Sequence, residues 1–134
     1  MHPDYKAHLA SACRGILETL AARCNGLIWA SVSTRDGIEV ASIGGAPNEK
    51  LSVIVSTMHA LSDGIVAEAD LGECRSTILE AGKGRVVILS VPGETESLVL
   101  AGMGTPNTSL GMLLSCCAMA CQEVTLASRT LPGP

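Results

Sequence analysis

At 134 residues the chain is long enough for one domain that buries about two-thirds of its unfolded surface, with no need of a metal or disulfide to fold. Apolar residues make up 47% and charged residues only 16%, well under the usual share of about a quarter, so part of the apolar surface is expected to be covered by a partner. The formal charge is −4, the basic residues are scattered singly, and Trp29 and Tyr5 are the only aromatics; with no basic stripe and almost nothing for a base to stack on, nucleic-acid binding is excluded.

The spacing predicts a first helix over residues 4–24, with Leu9, Cys13, Ile16, Leu20 and Cys24 recurring at steps of three and four. Asp4 can cap its start, and Asn25-Gly26 supplies a left-handed stop. Two short β-branched runs follow, 27–33 and 38–43, joined around Arg35-Asp36-Gly37, a strong hairpin signal. Gly44-Gly45-Ala46-Pro47 then breaks the chain, and Asn48 with Glu49 opens a second helix to about residue 70.

Three more strands are expected at 74–81, 85–91 and 97–103, with turns at Gly82-Lys83-Gly84 and Pro92-Gly93-Glu94. A last helix covers about 108–128, its stripe formed by Leu110, Leu113, Leu114, Cys117, Cys121 and Val124. Strands joined by tight turns are antiparallel, and the run RVVILSV at 85–91, apolar on both sides, needs covering twice. The expected fold is therefore α/β (α+β), in the order α-β-β-α-β-β-β-α, with a five-stranded antiparallel sheet and helices on both faces. One domain spans 1–128, and 129–134 is expected to be a flexible tail.

The start of the chain, MHPDYKAHLASACRG, lacks the apolar run of about 7–15 residues that marks a signal peptide. Charge or glycine interrupts every apolar stretch before the length of about 18 that spans a membrane. A cytoplasmic protein is expected, its six cysteines held as thiols.

Three segments together carry a family resemblance. They are GLIWASVSTRDGIEVASIG at 26–44, ILEAGKGRVVILSV at 78–91 and SLVLAGMGTPNTSLGMLL at 97–114. In this order they resemble the Roadblock/dynein-light-chain family over about residues 8–128, with departures in the cysteine-rich last helix and the scarcity of aromatics. The resemblance implies a profilin-like layout and a homodimer whose second helices pack together and whose third strands pair across the two-fold axis. It also implies a non-enzymatic regulator or scaffold for Ras-like small GTPases, or an adaptor for a motor or motility complex. In bacterial gliding motility a member of the family acts as a GTPase-activating protein without being a nucleotide enzyme itself.

The second helix bears on that dimer independently. Leu51, Ile54, Val55, Met58, Ser62 and Ile65 form one stripe, read as core-facing, while Val53, Thr57, Ala60 and Gly64 form a second, small or apolar throughout. Small residues at helical spacing let another helix approach closely, although a helix buried wholly within the monomer would show the same pattern. The expected contact residues are Val53, Thr57, Ala60 and Gly64, with Arg75, Thr77 and Leu79 on the open third strand.

Residues for chemistry are few. His2 and His8 stand near the start of the chain; His59, between the two stripes, has Asp63 four residues on, an orienting pair or, the preferred reading, an ordinary solvated or interface pair. Gly82-Lys83-Gly84-Arg85 lacks the GxxxxGK[ST] spacing of a phosphate loop and reads as a turn. Cys13 and Cys24 share a face of the first helix, Cys117 and Cys121 share a face of the last, and Cys116 points elsewhere. These thiols are a metal or redox set, or small core hydrophobes; without C-x₂₋₄-C knuckles in loops or a nearby histidine, packing is the preferred reading. No metal or cofactor is expected. A sensor domain holding a small molecule is the alternative, and it requires convergent polar groups in a pocket.

Overall fold

The computed structural model describes residues 3–45, 50–92 and 97–130. The elements follow the expected order: α1 (Pro3–Arg23), β1 (Leu27–Thr34), β2 (Glu39–Gly44), α2 (Leu51–Glu68), β3 (Ser76–Ala81), β4 (Gly84–Val91), β5 (Leu98–Gly104) and α3 (Leu110–Thr130). Asp4 lies inside the first turn of α1, where its carboxylate favours the positive helix end. Gly26 takes φ +91°, as the stop after α1 requires. The start of α2 expected at Asn48 and Glu49, the turn residues at 93–94 and the tail from 131 lie outside the described residues; α3 is helical through Thr130.

Every strand pair is antiparallel, in the spatial order β2-β1-β5-β4-β3, so β3 and β2 are the edges. The β1–β2 turn is knotted by Thr34, whose backbone N–H donates to Ile38 O (2.8 Å) and whose Oγ1 accepts from Ile38 N–H (3.0 Å). Its hydroxyl also bonds the Asp36 carboxylate, and Gly37 supplies φ +93°.

The two faces of the sheet differ in chemistry. On one lie α1 and α3, sealing an aliphatic core that includes Ala30, Val32, Val87, Val91, Leu98 and Leu100. Tyr5, Leu9, Cys13, Leu17, Leu20 and Cys24 of α1 and Leu113, Cys117, Ala120, Cys121 and Val124 of α3 fill it, with Ile16 only half-buried. By its length and composition α3 could cross a membrane, against the sequence expectation, but here its apolar stripe is packed on β4, β5 and α1.

The other face carries α2 over a smaller cluster of Trp29, Val55, Ile88, Val99 and Ala101. Alternation along β1 turns Ser31 and Ser33 to this side with Trp29, and both are fully buried. The helix above matches that polarity, burying Ser52, Val55, Ser56 and His59. This corrects the core-facing stripe expected for the second helix. Ile54 and Ile65, assigned to the core, are 56% and 68% exposed. Leu51, Val55 and Met58 of that stripe do pack on the sheet, but small polar side chains fit against the serines of β1, so Ile54 and Ile65 turn outward with Val53 and Leu61.

Candidate functional site

The outward side of α2 is an apolar surface. Val53, Ile54, Leu61 and Ile65 are all more than half exposed, and Leu71, just past the helix, is 71% exposed. Ala60, Leu61, Gly64, Ile65, Glu68 and Ala69 line an open, largely apolar groove of about 640 Å³ along the helix. A Cβ built on Gly64 meets no atom within 4 Å, so the glycine leaves space that the monomer does not fill. Thr57 is exposed, but its hydroxyl is turned inward along the helix and donates to Val53 O at 2.8 Å.

Strand β3 is the edge expected to be open. Its register places Thr77 opposite Ile88 and Leu79 opposite Val86, on the α2 side of the sheet, while Ile78 opposite Val87 faces the other way. Leu79 is 41% exposed, Thr77 is half-buried and Arg75 is exposed just ahead of the strand. Of the residues singled out from the sequence, Thr77 and Leu79 thus share the α2 side of the sheet with Val53, Thr57, Ala60 and Gly64. That reading omitted the larger side chains there, Ile54, Leu61, Ile65 and Leu71. Their signal was present: a helix apolar on every side has more hydrophobes than one core face can take.

Beneath α2 the chemistry is polar. His59 is 2% exposed, so it is not the histidine of a solvated pair. Its Nε2 stands 3.4 Å from Asp63 Oδ2, and Arg35 Nη2 reaches the same oxygen at 3.5 Å. Neither ring nitrogen makes a hydrogen bond, and Trp29 Nε1, Ser31 Oγ and Ser33 Oγ also have none within the described residues. Burial holds the imidazole pKa below its ordinary value, opposed by the Asp63 carboxylate and reinforced to a smaller degree by Arg35.

All six cysteines are free thiols. Cys24, Cys116 and Cys117 converge where α1 ends against α3, with Cys121 beside Cys117; Cys13 is not part of the group. Cys116 lies off the buried stripe of Cys117 and Cys121, as expected, but it is half-buried at the end of α1, its Sγ 4.0 Å from Arg23 O. Among the described residues no group of three or more His, Cys, Asp or Glu side chains could hold a metal ion. Burial pushes the thiol pKa of Cys13 up to about 11 and those of Cys117 and Cys121 up to about 12. A thiol reagent near pH 8 should therefore label Cys74 and Cys116 first and leave Cys13, Cys24, Cys117 and Cys121 until the protein unfolds. Rapid labelling of all six in the native state would contradict this packing.

The Gly82-Lys83 segment is a two-residue hairpin turn between Ala81 and Gly84, as expected. The following Arg85 is spent on structure: one guanidinium nitrogen donates to Thr108 O and another lies 3.8 Å from Glu80.

No protein-family model and no curated protein matches the chain. Solved structures do. The Roadblock/LC7 domain from Streptomyces avermitilis superposes with a TM-score of 0.78 at 17% identity, covering 87% of this chain and 98% of that one. The gliding protein MglB from Thermus thermophilus gives 0.79 at 13% identity, covering 92% and 93%. MglB from Myxococcus xanthus gives 0.78 at 18% identity, covering 89% and 96%. The chain has the Roadblock/LC7 fold.

Proposed function

We propose that this Roadblock-fold chain is a cytoplasmic homodimeric regulator or adaptor with no catalysis of its own, acting on a Ras-like small GTPase or a motor or motility complex. One observation carries the dimer: the outward side of α2 exposes Val53, Ile54, Leu61 and Ile65 together, more apolar surface than a lone soluble helix face presents. A second copy of the same helix, related by a two-fold axis, would cover that surface with its own. Thr57, Ala60 and Gly64 would let the helices approach, and Arg75, Thr77 and Leu79 would border a continuous sheet formed by two β3 edges. The edge has little to block such pairing, since Ser76, Thr77 and Ile78 carry no charge.

The GTPase part of the reading rests on the fold shared with MglB and on the apolar dimer face. It is tested by recovering partners from native cytosol on the immobilised protein and probing for a Ras-like GTPase. Single-turnover GTP hydrolysis by that GTPase is then measured with and without this protein. A change in hydrolysis or nucleotide release supports a regulator, and stable capture with no change supports an adaptor. Absence of any GTPase or motility protein among the partners would remove the reading. Calorimetry of the protein alone with GTP and ATP should show no binding, since the Gly82-Lys83 turn offers no phosphate cradle. Micromolar affinity would instead favour a nucleotide-dependent activity.

A further inference from the structure

α2 rests on the sheet through buried Val55 and half-buried Leu51 and Met58. Ser52, Ser56 and His59 face inward with Val55, over Ser31 and Ser33 of β1. Of the polar groups in this layer, Ser56 is satisfied, its hydroxyl donating to Thr34 O at 2.9 Å. The two β1 serines, Trp29 Nε1 and both nitrogens of His59 have no hydrogen bond within the described residues. A buried polar atom without a partner is destabilising, so this seat is weaker than the aliphatic one under α1 and α3.

The charges that face His59 can be named. β1, β4 and β5, the strands that α2 packs on, place no charged or titratable side chain on its side of the sheet. Asp63 lies one turn further along α2, and Arg35 comes from the β1–β2 turn. Glu39, opposite Ser33 on the edge strand β2, is exposed.

We propose that His59 is a proton-operated latch for α2: neutral, it lies between helix and sheet, and protonated, it drives the helix off its seat. An imidazolium has two N–H donors to satisfy. The carboxylate in reach is Asp63, at 3.4 Å and already shared with Arg35, and the Nδ1 side has no acceptor among the described residues. Release of α2 admits water to the charge. The polar seat gives way before the rest of the fold because the α1 and α3 side keeps its aliphatic packing.

The direction with pH follows from linkage. Burial lowers the imidazole pKa in the folded state, so the seated form binds the proton less readily than the released form. Seating is therefore complete above the free imidazole pKa of about 6.5, weakens as pH falls through it, and levels off below the folded value.

Backbone hydrogen exchange at about pH 7.5 and about pH 5.5, corrected for intrinsic rates, tests this. Protection of α2 amides should drop at the lower pH, by up to about tenfold for each pH unit by which burial displaces the titration, while α1, α3, β4 and β5 hold theirs. His59→Leu should remove the difference. If that variant does not fold, the α2 amide shifts of the wild-type protein should follow the titration of the His59 ring. Unchanged α2 protection, a drop that persists in His59→Leu, or α2 shifts that ignore His59 would each overturn the latch.

A consequence for assembly rests on the dimer proposed above. Sedimentation should show dissociation over the same pH range. Loosened α2 with an unchanged dimer mass would leave the latch standing and count against α2 as the dimer contact. Dissociation with α2 protection intact would do the reverse.

Discussion

Gly64→Leu should move the dimer and the monomer in opposite directions. In the monomer the position is exposed on the outward side of α2, and an added Cβ meets nothing within 4 Å. Replacing glycine inside a helix by leucine recovers up to about 1 kcal/mol of helix propensity, so thermal unfolding of the isolated subunit should rise by a few degrees. In the dimer the same side chain enters the space through which the second helix approaches. Overpacking of a close contact typically costs about 1–3 kcal/mol, which weakens association roughly 5- to 150-fold. The measurement is sedimentation equilibrium at about 10–100 µM beside a thermal melt below the dissociation constant, where the subunit is monomeric. Ile65→Asp is the stronger companion, placing a charge where an apolar side chain now stands 68% exposed. If α2 were instead buried within the monomer, Gly64→Leu would lower the melting temperature and leave mass unaffected. A wild-type protein that is monomeric at about 100 µM would remove the dimer itself.

The contrast between the two sides of the sheet also explains what could be read from the sequence. α1 and α3 each carry one clear apolar stripe, and the hairpin at Arg35-Asp36-Gly37 carries a residue pair that demands its turn, so their places followed from periodicity and turn chemistry. The strand boundaries fall within two residues of those expected, because each run ends at glycine, proline or a charged residue. The orientation of α2 did not follow. With Leu51, Val55 and Met58 on one flank and Val53, Ile54, Leu61 and Ile65 on the other, hydrophobicity alone cannot say which flank is inside. The deciding signal was polar: Ser52, Ser56 and His59 recur at steps of four and three, and Ser31 and Ser33 alternate along β1, so two polar faces of matching length were available to meet. The proposed contact residues of α2 stand out in the sequence because they are small or apolar and regularly spaced, whereas the identity of a partner is written in the partner's surface and not in this chain.

The largest loss of stability is expected on the opposite face, from a single methyl group. Gly102 of β5 lies under α3, where a Cβ would stand 2.6 Å from Cys117 Sγ, with Leu113 Cδ1 at 3.6 Å and Leu27 Cδ1 at 3.8 Å. Cys117 is completely buried, so its sulfur has no open space into which to swing, and Gly102→Ala should cost about 1–3 kcal/mol by overpacking. Cys117→Ala alone should cost about 1 kcal/mol through lost packing, and Cys117→Ser more, because the hydroxyl would be buried. Combined, Gly102→Ala and Cys117→Ala should not add: the methyl group introduced on β5 occupies volume vacated by the sulfur, and a coupling of about 1–2 kcal/mol in favour of the double variant is expected from urea unfolding. That coupling is the mark of a thiol acting as a small hydrophobe between helix and strand, in keeping with a pKa pushed up to about 12. Strict additivity would mean that the strand and helix separate to relieve the clash without reference to the sulfur. Stoichiometric zinc or copper in the purified protein, lost along with the fold in Cys121→Ala, would mean that the thiols between α1 and α3 hold a metal and that their packing role is secondary.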